Sequence, residues 1–349
     1  MKQIMSLHML NVGYGDAFLF MGPFGTCMLD VGGNLPEEFV GNSGRTRACD
    51  WLNSRGLDHL DHLILTHIHE DHVGGLLPLL QEVKVDHVWT PFPTGIFDGL
   101  PADLTYDRPI KRNVALFLSA LCDYVVGLRQ LRKQGAQIHQ LCDGDSLSFG
   151  ALYLDILSPI STILQTFVDL LEELKQAVQR DPVGTAEEQL SLLHRLDILS
   201  NGASLVIKFS IGAFVGLFCA DNTPSHWSRT PTAAAFLQDV NVIKLPHHGQ
   251  IDAIDAFFMQ KMPLQICLTT SSSTCKYNSA NPEVYRQLEA WAAAGNRTID
   301  FLFSDPPADH PYWSGSKSYS SVALTVDANL TYDFATSVDS NPIGTGVSQ

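Results

Sequence analysis

Thr66-His67-Ile68-His69-Glu70-Asp71-His72 is the stretch on which the reading of this chain turns. His67, His69, Asp71 and His72 put four possible metal ligands into six residues. The apolar Leu63-Ile64-Leu65 precedes them and Val73-Gly74-Gly75-Leu76-Leu77 follows. Side chains on one helix face stand three or four apart, and these four do not all keep that spacing. The pattern therefore predicts a strand ending at Thr66, a tight ligand-bearing loop, and a helix from about Val73 to Val83. Imidazoles with a carboxylate suit zinc, iron or manganese. The bland alternative is a His-rich surface turn. Four ligands in this order at the end of an apolar strand argue against it.

Composition sets the frame around that loop. The 349 residues are 45% hydrophobic and 17% charged, enough for a sizeable core. No run reaches the ~20 apolar residues of a membrane span, so no membrane partner is expected. The N-terminal Met1-Lys2-Gln3-Ile4-Met5 reads as the lead into a strand and not as a signal peptide. Seven scattered cysteines without a Cys-x-x-Cys pair point to reduced thiols and a cytoplasmic setting. Cys27, Cys219 and Cys267 sit in apolar runs and read as core residues. The formal net charge of −15 and the lack of a Lys/Arg cluster speak against extensive non-specific nucleic-acid binding.

Strands are predicted at 4–10, 17–21, 27–31, 63–65 and 85–89, then at 138–141, 147–149 and 152–157. More follow at 204–210, 213–219, 242–245, 265–269 and 299–303, with 321–326 as the last. Helices are predicted over 46–55, 110–133 and 282–294. Residues 90–107, rich in Pro, Gly and Asp, read as a surface excursion. In 161–199, Ile163, Phe167, Leu170, Leu171 and Leu174, then Leu190, Leu193 and Leu196, repeat at helical spacing around Pro182-Val183-Gly184. This helical hairpin reads as an insertion into a β-rich frame. Strands in two blocks, too close together for helical crossovers, predict an α/β (α+β) fold with two sheets and helices outside.

A two-metal centre needs ligands beyond the loop, and two other strand ends offer them. Val215 to Ala220 is an apolar run stopping at Asp221, which could instead be a helix cap. Val242-Ile243-Lys244-Leu245-Pro246 stops at His247-His248-Gly249. Both have the form of the first motif, an apolar strand ending in a ligand-capable residue.

With these pieces together the chain resembles the metallo-β-lactamase-fold hydrolases, and among them the hydrolase domain of ComEC-type competence proteins and its free-standing soluble relatives. The segments Leu10-Asn11-Val12-Gly13-Tyr14-Gly15-Asp16-Ala17 and Met28-Leu29-Asp30-Val31-Gly32 carry the likeness, with the Thr66–Gly75 loop. Asn201-Gly202-Ala203-Ser204-Leu205-Val206, Asp221 and Pro246-His247-His248-Gly249 complete it. The resemblance implies a four-layer αββα sandwich over 1–334, with 161–199 as a helical insertion and 335–349 as a disordered tail. It implies two divalent metal ions, zinc first, with manganese or iron as alternatives. His67 and His69 would hold one ion, Asp71 and His72 the other, and Asp221 would bridge. His248 is the favoured last ligand, leaving His247 to face substrate, although the order could be reversed. Asp30 would orient a metal-bound histidine.

One departure bears on the first metal and two on substrate. Many members supply a third histidine to the first metal, where this chain offers Asn201, as the ComEC-like group also tends to, which implies weaker binding there. Gln250 follows the His-His-Gly motif where the ComEC-like group often has Ser or Thr. Asn281-Pro282 stands where the group often has His-Pro. Asp71 and His247 are the catalytic candidates, and Asn201, Lys276 and Asn281 the substrate-binding ones. His8, His59, His62, His87, His139, His194, His226 and His310 are read as structural or surface residues. The first functional reading is a phosphodiesterase acting on a small nucleotide-like molecule or a short nucleic-acid end. The alternatives are an ester, lactone or thioester hydrolase, iron redox chemistry, which His69 disfavours, and a non-catalytic binding module. The 161–199 hairpin is a candidate lid, dimer contact or partner surface, its apolar stripe more in keeping with core packing.

Overall fold

Alternation along the first strand sets the layering. In β1 (Met5–Leu10), Met5, Leu7 and Met9 join the core between two sheets, while Leu10 and His8 face the helices. The computed structural model describes residues 4–335, apart from 42, 107–108, 182–186, 229–232, 260, 308, 314–318 and 328–329. The chain next lays down β2 (Phe18–Gly22), β3 (Gly25–Leu29), β4 (His59–Ile64), β5 (Lys84–Thr90) and β6 (Gln137–Gln140). A second sheet follows from β7 (Ser146–Phe149), β8 (Leu152–Ser158), β9 (Val206–Ile211), β10 (Phe214–Phe218), β11 (Val242–Lys244), β12 (Ile266–Thr269) and β13 (Asp300–Phe303). The chain then returns to the first sheet with β14 (Ser321–Val326) and β15 (Leu330–Ala335). The strand orders are β15-β14-β1-β2-β3-β4-β5-β6 and β13-β12-β11-β10-β9-β8-β7.

The sheets face each other through aromatic rings. Phe20 stacks on Phe209 at 4.5 Å, and Phe18 meets Phe218 edge-on at 5.0 Å. Over the first sheet lie α1 (Ala48–Asn53), α2 (Glu70–Val73), α3 (Leu76–Glu82), α4 (Arg112–Gln134), α5 (Ser161–Arg180) and α6 (Glu187–Ser200). Over the second lie the short α7 (Pro224–Trp227), α8 (Ala233–Phe236) and α9 (Ala256–Met259), with α10 (Pro282–Ala294). The architecture is the four-layer αββα sandwich.

Several local expectations change. The helix expected after the ligand loop is two helices, α2 and α3, separated by Gly74 and Gly75. A Cβ on Gly74 would lie 2.5 Å from the Glu70 carbonyl, and one on Gly75 2.5 Å from that of Val31. Residues 90–107 are no surface excursion: Phe92, Phe97, Leu100 and Leu104 are buried in the core beneath the helices. Strand β14 is not the last, since β15 pairs with it antiparallel from Val326↔Leu330 to Ser321↔Ala335. Residues 336–349, like Pro182-Val183-Gly184, lie outside the described residues. Helix α4 is long and apolar enough by composition to cross a membrane. Here it packs against α3 and α6, with Phe117, Leu121, Tyr124 and Leu128 buried.

The 161–199 helices belong to the same outer layer. Leu164, Phe167, Leu170, Leu171 and Leu174 keep helical spacing and are buried with Leu193 and Leu196. Each such burial stabilises by about 1.5–3 kcal/mol. This apolar stripe is core packing.

The two sheets share a device that positions the site. Strands β3 to β6 run parallel, as do β10 to β13. Parallel strands deliver their following loops to one edge, where α/β sheets bind ligands.

Candidate metal centre

Five strand ends converge at that edge. Asp30 follows β3, the His67–His72 run follows β4, Asp221 follows β10, His247 and His248 follow β11, and Thr270 follows β12. Asp16, before β2, completes the set, and backbone hydrogen bonds fix the loops to one another. Asp16 N–H donates to the Asp71 carbonyl (3.1 Å), Val31 N–H to that of His72 (2.9 Å), and His247 N–H to that of Ala220 (3.0 Å). Gly15 is required here, since its φ is +143° and a Cβ would lie 2.2 Å from the Asp71 carbonyl oxygen. Asp30, Ala220, His247 and His248 all adopt left-handed φ of 44–52°. Strain of that kind is held in place where a site needs it.

Hydrogen-bond partners settle which ring nitrogens are free. His72 Nδ1 donates to Asp30 Oδ2 (2.8 Å), and His248 Nδ1 to the Thr270 carbonyl (2.6 Å). The Thr66 hydroxyl spends its proton on Asp30 (2.7 Å), so His67 Nδ1 donates to Thr66 Oγ1 (3.0 Å). His69 turns the other nitrogen outward, Nε2 donating to the Asp197 carbonyl (3.2 Å). Lone pairs are therefore left on Nε2 of His67, His72 and His248 and on Nδ1 of His69, the arrangement second-layer partners give to metal ligands.

Those lone pairs form two clusters sharing Asp221. In one, His248 Nε2 lies 2.9 Å from Asp71 Oδ2 and 3.2 Å from Asp221 Oδ1. His72 Nε2 lies 3.4 Å from Asp221 Oδ1 and 3.7 Å from Asp71 Oδ2. In the other, His67 Nε2 is 3.1 Å from His69 Nδ1 and 4.0 Å from Asp221 Oδ2. Tetrahedral zinc with ~2.0–2.1 Å bonds spaces its ligand atoms about 3.3 Å apart, so the donors fit. His72 Nε2, His248 Nε2 and Asp221 Oδ1 are buried without a directed hydrogen bond, which is costly unless something binds them. Around them, four carboxylates (Asp16, Asp30, Asp71, Asp221) meet one buried ammonium, Lys244. The residues present fit divalent cations.

Electrostatics point the same way. Burial opposes charge on His72, but Asp221, Asp71, Asp16 and Asp30 hold its pKa well above the usual imidazole range. Burial also opposes charge on Asp221, yet His248 and His72 hold its pKa well below the carboxylate range. The site draws positive charge, which a proton or a metal ion supplies. Burial, with His72 and His69 nearby, pushes His67 far down and keeps it neutral.

Several residues of the site were missed. Lys244 Nζ lies 2.6 Å from Asp16 Oδ2, donates to the Ala220 carbonyl (2.8 Å), and stands 3.8 Å from Asp221 Oδ1. Thr270 Oγ1 donates to Asp16 Oδ1 (2.5 Å). A lone lysine inside the apolar Val242–Leu245 run was the available signal. Asp197 on α6 clamps His69 through its carbonyl, with Oδ1 3.4 Å from Nε2. Helix α6 therefore supplies a residue to the centre.

A cavity of about 610 Å³ opens over the cluster. Asp71, Asn201, His247 and Lys276 line it. His247 Nε2 accepts from the Asn201 amide (3.3 Å), and its Nδ1 lies 3.2 Å from Asp252. Lys276 ion-pairs with Glu38. Asn281 is not among the lining residues: its side chain caps α10, accepting from Glu283 N–H (3.0 Å). Tyr14, unassigned in the sequence, lines the cavity, and burial, then Asp71 and Asp221, hold its phenol pKa well above the usual range. None of the remaining histidines is among the lining residues. His8 packs on Trp51 (5.2 Å), His62 on Phe149 (3.6 Å), and His310 Nε2 donates to the Ala280 carbonyl (2.9 Å).

Residues 13–125 match the family model of the metallo-beta-lactamase superfamily. ComE operon protein 3 of Bacillus subtilis (strain 168) is 21% identical over 291 residues, which cover 80% of this chain and 30% of that protein. The chain thus spans less than a third of the length of that relative. Among solved structures, the metallo-beta-lactamase fold protein YhfI from Bacillus subtilis aligns with TM-score 0.46 and 11% identity, covering 85% of this chain and 96% of that one. CmlA, a diiron beta-hydroxylase from Streptomyces venezuelae, aligns with TM-score 0.48 and 14% identity, covering 87% and 53%.

Proposed function

We propose that this chain belongs to the metallo-β-lactamase superfamily, whose family model matches residues 13–125, and that it is a metal-dependent hydrolase that cleaves a phosphodiester in a small substrate. The observation that carries this is the convergence of His72 Nε2, His248 Nε2 and Asp221 Oδ1, buried without a directed hydrogen bond, at the cavity that Asp221 lines. His67, His69 and Asp221 would hold one ion, and Asp71, His72, Asp221 and His248 the other. Divalent ions held there would lower the pKa of a bound water and offset charge growing on the reacting oxygens. Zinc suits the nitrogen-rich donor set, with manganese or iron as alternatives.

The chain's own groups supply the rest. Asp71 lines the cavity with its side chain 17% exposed, so its carboxylate can take up a proton from the attacking water. Tyr14 keeps its proton at neutral pH and can donate a hydrogen bond to a substrate oxygen. His247, held between Asn201 and Asp252, presents a fixed imidazole edge for positioning. Lys276 and Arg112 face carboxylates of Glu38 and Glu37, which offset their charge. A phosphodiester carries one charge for the centre to meet. A long polyanion would need free cations along its path, and the net charge of −15 opposes it.

A second reading, hydrolysis of a carboxylic ester, lactone or thioester, draws on the same pairing of the cavity's cations. Both are tested by purifying the protein without chelator, counting metals by mass spectrometry, and assaying a chromogenic phosphodiester beside a chromogenic ester. About two metals per chain and phosphodiester turnover lost in Asp71→Ala and Asp221→Asn are expected. Turnover of the ester alone would transfer the assignment to the second reading. No metal, and no activity after Mn²⁺ or Zn²⁺ addition, would overturn both.

A further inference from the structure

Part of the cavity's lining is apolar. The first turns of α4 supply it: Leu116 and Phe117 line the cavity one turn beyond Arg112 and Asn113, and Leu35 joins them. Phe117 meets the His69 ring edge-on at 5.9 Å, so the apolar wall reaches the metal ligands themselves.

The rim continues this character. Among the described residues, six large hydrophobic side chains are exposed, and one of them, Tyr277, lines the cavity at 63% exposure. The cations of the opening are already paired with carboxylates, Lys276 with Glu38 and Arg112 with Glu37.

From this we propose that the substrate is amphipathic: its reacting ester group sits at the metal centre, and an alkyl or aryl arm of that ester lies along Leu35, Leu116 and Phe117 toward the rim. The inference rests on the hydrolase reading and narrows it. The arm is an apolar alcohol or acyl group and not a chain of nucleotides, since the wall offers dispersion and desolvation and no unpaired cation for a second phosphate. Each methylene seated on such a wall adds to binding, so affinity rises with arm length.

Calorimetry on the metal-loaded full chain tests this independently of which bond is cleaved. The probes are methyl phosphate, hexyl phosphate, acetate, hexanoate and thymidine 5′-monophosphate. Hexyl phosphate is expected to bind at least about tenfold tighter than methyl phosphate, and tighter than the nucleotide. Leu116→Asn should shrink that gap by about threefold or more. Tyr277→Ser, at a position 63% exposed and lining the cavity, should shrink it less. A gap below about twofold, a nucleotide that outcompetes hexyl phosphate, or a gap unchanged in Leu116→Asn would overturn the proposal. Should the chromogenic phosphodiester resist turnover while hexanoate still outbinds acetate by a similar margin, the phosphodiesterase reading falls and the amphipathic substrate stands.

Discussion

The two halves of the metal centre are built to different standards. The half around Asp71, His72 and His248 is closed in except where Asp71 faces the cavity. Asp30 holds His72, the Thr270 carbonyl holds His248, and Asp16 with Lys244 supports the set from below. The half around His67 and His69 has fewer donors, and the position where a third histidine is common carries Asn201. His69 depends on Asp197, a residue of the outer helical layer. Metal affinity follows the number of ligands and how firmly their partners hold them. Two ions bound there would therefore be held unequally, with the His72/His248 half the stronger.

Substitutions can break or sharpen that contrast. The largest effect is expected from Asp221→Asn, which weakens the ligand that both halves share. Both ions should be lost or exchange freely, and turnover should fall by about 10³-fold or more, read by metal analysis and steady-state kinetics. Next comes Lys244→Met. It strands Asp16 as a buried charge beside Asp221, and breaking such a pair costs about 3–5 kcal/mol, seen as a lowered denaturation midpoint, with the enclosed half losing metal first. Smaller, and opposite in sign, is Asn201→His. A third imidazole at the weaker half should tighten its ion by about 10-fold or more, narrowing the gap between the two affinities; no change would mean that position 201 does not reach the ion.

The smallest effect separates acid sensitivity of the core from that of the centre. Burial pushes His8 down to about 4, below its unfolded value near 6.5. Its neutral form stabilises the fold fully above about pH 6.5, and that contribution is lost as pH falls toward 4. A chelator-treated His8→Gln variant should show a shallower fall in thermal midpoint between those pH values than the chelator-treated parent. An identical slope would place the acid sensitivity elsewhere.

Much of the fold could be read from the residues because its signals are local. Helix α10 keeps its expected bounds, with Asn281 capping, Pro282 in the first turn and Gly295 after the end. Strand β14 also keeps its bounds, its alternating Val322, Leu324 and Val326 marking the buried face. Residues 90–107 misled because Pro, Gly and Asp report on the backbone, whereas Phe92, Phe97 and Leu100 decide where the segment lies. Strand β15 was missed as an edge strand with Thr331, Tyr332 and Asp333 exposed.

The ligand loop was legible for the same local reason, since apolar runs stop at ligand-capable residues. What supports it was not. Asp16 and Lys244 meet across the two sheets, and neither position says so alone. Asp197 follows the apolar stripe of α6, and nothing in that helix's spacing points to His69. Asn281 carried the opposite lesson: a residue singled out by motif position turned out to be a helix cap, a task its own neighbours Pro282 and Glu283 advertise.

The central claim is tested most directly by stepwise titration of the chelator-treated chain with Zn²⁺ against a competing chromogenic chelator, beside His248→Ala and His67→Ala. The account predicts two equivalents in two separated phases, the tighter phase lost in His248→Ala and the weaker in His67→Ala. Two phases of equal affinity, or a tighter phase that survives His248→Ala and disappears in His67→Ala, would contradict it.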